Sequence, residues 1–198
     1  MLSIVVMAAG ASQRFGGCKL LAKVNGQPLL EHSIGKAKRL VTEPGTLQII
    51  TGSWHPQIET AMQNGELTQT PLLFNSDWEQ GLGNSIAFAI RHLPESTEKV
   101  LILLADQIAI QTEELQQLIN ASQNSDITCA HYAGKRGVPA IFSRSQFAKL
   151  VELNGEQGAK ALLYGPDLRV KTVIMESAGL DIDTQQQLEM FKQHQTSA

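Results

Sequence analysis

The stretch VLILLAD, Val100 to Asp106, limits the fold more than any other part of the chain. Its apolar run is unbroken until it ends in a carboxylate, and a strand that is apolar on both faces has to be covered on both. That is the mark of a central strand in a parallel sheet sandwiched by helices. Leu47 to Ile50, the run ending at Phe74, Ile127 to Tyr132, Val138 to Phe142 and the segment VKTVIM add further strand-like runs. Helical patterns fall between them: Pro28 towards Leu40, a stretch from His55-Pro56 to Asn64-Gly65, one opening near Gly81 to Ser85, Thr112 to Ser122, one opening near Ser143, and the terminal TQQQLEMFKQH. Strands interleaved with helices predict an α/β protein in three layers, with a mostly parallel sheet and right-handed crossovers. Asn25-Gly26, Pro44-Gly45 and the cluster Gly134-Lys135-Arg136-Gly137 read as turns, and GEQGAKALL reads as a helix start after a glycine-containing loop.

With 198 residues and 42% hydrophobic content, the chain can bury one ordinary core. The expectation is a single domain over 1–198 whose last few residues fray. A net charge of -3 argues against general affinity for nucleic acid or anionic membranes. No apolar run approaches the roughly 20 residues that span a bilayer, and the apolar start lacks the basic leader of a signal peptide. Cys18 and Cys129 form neither a disulfide framework nor a close metal pair, which fits a reducing cytoplasm. His32, His55, His92, His131 and His194 show no zinc spacing and read as surface or packing residues.

The second informative stretch is IVVMAAGASQRFGGCK, Ile4 to Lys19. A short buried strand gives way to small residues that let a ligand lie against main chain, and then to two cations. Turn N–H groups can cradle phosphate oxygens, Arg14 can hold two oxygens at once, and Lys19 supplies a mobile point charge. The loop asks for a polyphosphate. It contains neither GxGxxG nor GxxxxGK[ST], which disfavours dinucleotide oxidoreductases and P-loop NTPases. Asp106, at the carboxyl end of a central strand, stands where open α/β sheets bind ligands. Asp181 and Asp183, at alternate positions of LDIDTQQQL, can share a face, and one can complete an oxygen-rich Mg2+ site with Asp106; alternatively Asp183 or Thr184 caps the last helix. Gly83 adds a permissive position at a helix N-terminus suited to an anion.

The spacing M-A-A-G-A-S-Q-R-F-G-G-C-K resembles the LAAGxSxRMGxxK signature of nucleotidyltransferases with a Rossmann-like, GT-A-like fold, particularly the molybdenum cofactor cytidylyltransferase branch of the MobA-like NTP transferases. The resemblance implies that Ala8, Ala9, Gly10, Ser12, Arg14, Gly16 and Lys19 wrap a nucleoside triphosphate, with Arg14 and Lys19 on its phosphates. LLADQ resembles LLxDQP, implying that Asp106 holds magnesium, with Ile108 in place of the proline. LDIDTQQQL resembles DIDTPEDL and implies Asp181 as metal ligand, Asp183 as the alternative and Thr184 as cap. Gln185 and Gln187 depart from that pattern in a way expected to weaken the helix start. NSDWEQGLGNS resembles N-x-x-W-x-x-G-x-x-x-S and implies nucleotide contacts from Asn75, Gly81 and Ser85, with Trp78 as packing. GKRGVPAIF and NGEQGAKALL resemble GxRGHPxxF and GDxGAR, placing Arg136, Pro139 and Gly158 on the acceptor side, with Val138 and Glu156 as departures.

These matches run in order from Met7 to Leu188. Together they imply a magnesium-dependent transferase, with Arg14, Lys19 and Asp106 as its catalytic set. It would move a nucleoside monophosphate to a phosphorylated acceptor and release pyrophosphate. Ala8-Ala9-Gly10 points to CTP, although Gly16-Gly17 resembles the guanylyltransferase loop. The acceptor implied is molybdopterin, with a molybdoenzyme as recipient. A sister enzyme acting on a sugar phosphate and a non-catalytic nucleotide or cofactor holder remain as alternatives.

Overall fold

The computed structural model describes residues 1–166 and 168–196, with side chains up to 193 in the last helix. Ser197 and Ala198, in the tail expected to fray, and the His194 side chain lie outside the described residues. The chain begins with β1 (Leu2–Ala8) and a loop carrying two short 3-10 turns. Next comes a two-stranded ribbon, β2 (Lys23–Val24) and β3 (Gln27–Pro28). Asn25 and Gly26 join its strands with φ of 52° and 79°, the two left-handed positions that a tight hairpin requires. Helix α1 (Leu29–Leu40), β4 (Thr46–Thr51), α2 (His55–Gln63), β5 (Leu72–Phe74), α3 (Leu82–Arg91) and β6 (Lys99–Leu104) follow. The second half holds α4 (Thr112–Ala121), β7 (Ile127–Tyr132), β8 (Lys135–Ser143), the short α5 (Phe147–Val151), β9 (Val170–Ile174) and α6 (Gln185–Thr196).

Seven strands form one sheet in the order β5-β4-β1-β6-β8-β7-β9, so β6, the VLILLAD strand, is its middle member. It pairs in parallel with β1 from Leu2↔Lys99 to Met7↔Leu104. Only β8 runs against its neighbours, β6 and β7. The cluster read as a four-residue turn is therefore corrected: the turn is confined to Ala133-Gly134, and Lys135 to Gly137 already belong to β8. GEQGAKALL forms only a 3-10 turn, Lys160–Tyr164, after the left-handed Gly155 and Gly158.

Alternation along β1 distributes the core. Ile4, Val6 and Ala8 face α1, α2 and α4 through Leu30, Ile34, Ile58 and Leu115, while Val5 and Met7 face α3 and α5 through Ile86, Ile90 and Leu150. A third, smaller cluster joins Phe15, Val24, Leu29, Ile108, Ile182 and Leu188. It takes one apolar residue from beside each charged position of interest: Phe15 follows Arg14, Ile108 lies two after Asp106, and Ile182 separates Asp181 from Asp183. Charged groups gain fixed positions when their chain neighbours are locked in a core. Ile182→Ala is expected to cost about 2–4 kcal/mol of stability, as large-to-small core changes do. Chemical denaturation measures it, and a loss well under about 1 kcal/mol would mean that this cluster does not pin the segment.

Candidate active site

Strand order reverses at β1: β4 and β5 lie to one side of it and β6 to the other. Open α/β sheets bind ligands at the carboxyl ends of their strands at such a switch point. A cleft of about 950 Å3 opens there. Ala8, Ala9, Gly10, Ser12, Arg14 and Lys19 line it from the loop after β1, Asp106 from the end of β6, Gly81 and Ser85 from α3, and Asp183 from the approach to α6.

Four charged side chains form a continuous line along this cleft. Arg14 Nη2 donates to Asp183 Oδ2 at 2.7 Å, and Lys19 Nζ donates to Asp183 Oδ1 at 3.0 Å and to Asp106 Oδ2 at 2.6 Å. The Lys19 side chain is 12% exposed and that of Arg14 is 73% exposed. Lys19 is thus the enclosed bridge and Arg14 the outer clamp. Burial pulls the Lys19 ammonium down, but the Asp106 and Asp183 carboxylates outweigh it and hold the group above its usual range. Burial pushes Asp183 up, yet Lys19 and Arg14 prevail and hold it below the usual carboxylate range. Asp181 goes the other way. It is not among the residues that line the cleft, and desolvation, then the charges of Asp106 and Asp183, push it up to about 6.

Several residues singled out in the sequence stand behind the wall. Asn75 is buried, and its Nδ2 donates to Asn84 Oδ1 at 3.0 Å and to Ser85 Oγ at 3.1 Å, so it orients Ser85. Gly16, at φ 77°, closes the 3-10 turn of the loop. Gly83 does not offer its N–H to an anion, because that group donates to Gly155 O at 2.8 Å. A Cβ at Gly83 would lie 2.5 Å from Asn154 O, so the two segments meet backbone to backbone. Arg136, Pro139 and Gly158 are not brought to the cleft. The Arg136 guanidinium donates to Leu163 O at 2.6 Å and lies over the Tyr164 ring, Pro139 is buried in β8, and Gly158 packs on Leu82.

The structure adds residues that the sequence left unmarked. Leu104, Ala105, Glu79 and Leu82 line the cleft, as do Trp78, which sequence reading took for packing, and Glu156, the departure in the acceptor-side motif. Trp54 Nε1 donates to Ala11 O at 2.9 Å and steadies the loop from α2. Gln187, expected to weaken the start of α6, instead strengthens it. Its Oε1 accepts from Thr184 N at 2.9 Å while Thr184 Oγ1 accepts from Gln187 N at 3.2 Å, a reciprocal capping box.

A family model described as MobA-like NTP transferase domain matches residues 4–171. The chain belongs to that family. It is 28% identical over 162 residues to Bifunctional protein GlmU of Francisella tularensis subsp. novicida, covering 80% of this chain and 34% of that protein. The chain thus spans about a third of the length of the curated relatives it matches. Its fold is that of Rv0371c from Mycobacterium tuberculosis H37Rv, with a TM-score of 0.83, 24% identity and 97% of each chain covered. A manganese complex of Rv0371c gives 0.80 at 22% identity, covering 97% of this chain and 98% of that one. CMP:2-keto-3-deoxy-manno-octonic acid synthetase complexed with CTP gives 0.76 at 13% identity, covering 99% and 98%. No helix of the described residues is long and apolar enough to cross a membrane.

The residues of this MobA-like domain fit a hard divalent cation. Asp106 Oδ1 is buried with no hydrogen-bond partner, and the donors beside it are carboxylate oxygens. Among the described residues no group of three or more His, Cys, Asp or Glu is placed to hold a metal ion without further donors. Mg2+ commonly keeps several waters and binds through one or two carboxylates plus substrate phosphates, so an open donor set agrees with it.

Behind Asp106, the Lys36 ammonium donates to Ile108 O, and burial drives it down to about 8, opposed in part by Glu114. The unfolded group titrates near 10.5, so between these values the unfolded chain holds more protons and this group's contribution to stability rises with pH. Below about 8 both states are charged and the contribution is constant. Relative to Lys36→Met, the urea midpoint of the unsubstituted domain is expected to gain between about pH 7.5 and about pH 10. A constant difference would show that Lys36 is not desolvated.

Proposed function

We propose that this domain is a magnesium-dependent nucleotidyltransferase that moves CMP from CTP to a phosphorylated acceptor, with molybdopterin the favoured one, and releases pyrophosphate. The observation that carries the reading is the line Arg14–Asp183–Lys19–Asp106 at the switch point between β1 and β6. Two cations and two carboxylates held together beside a cleft form a set that a metal-bound triphosphate can enter by exchange of partners. The phosphates would take Lys19 and Arg14, which would leave the carboxylates to hold the cation. Magnesium, when bound, would be held by Asp106 with Asp183 or Asp181 and would neutralise charge on the phosphoryl oxygens.

An oxygen of the acceptor's phosphate attacks the α-phosphorus. The new P–O bond forms as the bond to the β-phosphate oxygen breaks, and the electron pair leaves with pyrophosphate. The attacking phosphate is already ionised, so no side chain has to remove a proton. The chain's contribution is alignment in the cleft, with Lys19 and Arg14 countering charge on the leaving group. CTP is favoured by Ala8-Ala9-Gly10, which resembles the loop of the cytidylyltransferase branch. The manganese complex of Rv0371c and the CTP complex of the octonic acid synthetase are in keeping with both choices. We place the whole reaction in one domain over 1–198 and in the cytoplasm.

The acceptor is open to a second reading because Arg136, Pro139 and Gly158 stand away from the cleft. Pyrophosphate release measured with each nucleoside triphosphate and Mg2+, with and without molybdopterin, tests the proposal. Release with CTP that requires molybdopterin supports it. Release that requires a sugar phosphate instead reassigns the acceptor. Tight nucleotide binding without release from any of them makes the protein a holder rather than an enzyme.

A further inference from the structure

Among the described residues three glutamines are buried, Gln48, Gln107 and Gln146. Gln48 donates once, to Ala89 O at 3.4 Å, and Gln146 donates to its neighbour Ser145 at 3.1 Å. Gln107 differs. It is 3% exposed and follows Asp106 directly, and its Nε2 donates to Ala178 O at 2.7 Å and to Val138 O at 3.2 Å. Both N–H groups of one amide are thus spent on carbonyls of two segments far apart in the chain. One belongs to β8, and the other to the 3-10 turn Glu176–Gly179, which leads into Asp181 and Asp183.

We propose that Gln107 is a positioning residue that ties the end of the Asp106 strand to the turn delivering Asp181 and Asp183, and so sets the separation of the carboxylates that take the divalent cation. The inference rests on the metal-dependent reading of the cleft given above. The turn has other anchors as well: Ser177 Oγ donates to Glu114 Oε2 at 2.7 Å, Glu176 Oε2 accepts from Ala133 N at 3.4 Å, Ala178 is buried in the main core, and Ile182 is buried with Phe15 and Ile108. Of these anchors, Gln107 is the one that adjoins Asp106, while Ile182 lies between Asp181 and Asp183. A shift of the Gln107 amide therefore moves Asp106 relative to Asp183.

The side-chain chemistry fits the task. A primary amide offers two diverging donors without charge, so it can bridge two buried carbonyls. Methionine fills a similar volume with no donor, leaving both carbonyls unpaired. Glutamate keeps the shape but turns acceptor oxygens and a charge towards them.

The test compares the unsubstituted domain with Gln107→Met, Gln107→Asn and a control, Gln146→Met, which makes the same change at a buried amide bonded only to its neighbour. Mn2+ binding is followed by electron paramagnetic resonance, pyrophosphate release from CTP with the acceptor that supports release is followed as Mn2+ is raised, and melting temperatures are recorded. Gln107→Met is expected to weaken Mn2+ binding about 10-fold, as loss of an outer-layer contact to a metal site does. Its release should fall in step at low Mn2+ and recover towards the unsubstituted rate as Mn2+ is raised, with KM for CTP within about twofold, because the metal geometry alone has loosened. Gln107→Asn keeps an amide one methylene too short to reach both carbonyls, and should fall between the two. Gln146→Met should leave Mn2+ affinity unchanged even if it melts lower. Should the Gln107 variants melt lower but keep the parental Mn2+ affinity, Gln107 is scaffold only and the inference fails. Absence of Mn2+ binding and release in the unsubstituted domain would instead overturn the metal-dependent reading, and this inference with it.

Discussion

Lys19→Ala is expected to lower pyrophosphate release by about 10²–10³-fold, the usual loss when one preorganised group facing developing charge is removed. The same change should tighten Mn2+ binding to the nucleotide-free protein. Lys19 Nζ lies 2.6 Å from Asp106 and 3.0 Å from Asp183, in the space that a cation between these carboxylates needs. Its ammonium therefore competes with the metal until a triphosphate draws it away. Without it, Asp106 and Asp183 lose the cation between them and Arg14 remains on Asp183, and an attraction of at least about tenfold for a divalent cation follows from the loss of one close positive charge. A pyrophosphate assay and a Mn2+ titration by electron paramagnetic resonance measure the two effects. Full turnover would remove Lys19 from the mechanism, and lost turnover with unchanged Mn2+ affinity would mean that it does not compete with the metal.

The middle of the sheet was legible because burial on both faces leaves a compositional trace. Val100 to Leu103 are buried on both faces, and the run became β6 at the centre. The direction of β8 left no such trace. A strand reads alike in either direction, and what reverses β8 is the tight link at Ala133-Gly134, with φ of 47° and 73°. An alanine in the left-handed region carries no turn signature, so the visible cluster Gly134-Lys135-Arg136-Gly137 drew the turn two residues too far along. Ile108, a departure from the LLxDQP pattern, acquires a reason only in three dimensions: it packs in the small core with Phe15 and Ile182.

The charged members of the site were legible one at a time, since a cation in a glycine-rich loop and a carboxylate at a strand end each have their own local logic. Their pairing was not. The resemblance to DIDTPEDL favoured Asp181 as metal ligand, whereas the fold hands both Arg14 and Lys19 to Asp183 and leaves Asp181 with a raised pKa. Gln107 was missed because a lone glutamine after a strand resembles any polar loop residue. Two signals were available: Gln107 matches the glutamine of LLxDQP, and DQIAI places an amide among apolar residues, directly after a carboxylate. The acceptor side was the least legible. Glycines and a proline in GKRGVPAIF and NGEQGAKALL were spent on β8 and on the approach of Gly155 to Gly81, not on lining the cleft.

Asp106→Asn is expected to abolish pyrophosphate release to within the limit of a standard assay, about 10³-fold or more, because it removes charge from the one site carboxylate whose Oδ1 is buried and unpaired. The amide keeps the shape, and Lys19 retains Asp183, so the melting temperature should change by only a few degrees. Mn2+ binding should weaken, opposite in sign to the change in Lys19→Ala. These opposing signs distinguish exchange of partners from simple damage, since damage to the cleft would weaken metal binding in both variants. The double variant sharpens the distinction. If Lys19 hinders the metal through Asp106, the gain in Mn2+ affinity from Lys19→Ala should shrink in the Asp106→Asn background by about 0.5–3 kcal/mol, the coupling found between contacting residues. Strict additivity would place the Lys19 effect on Asp183 alone and confine Asp106 to holding the cation.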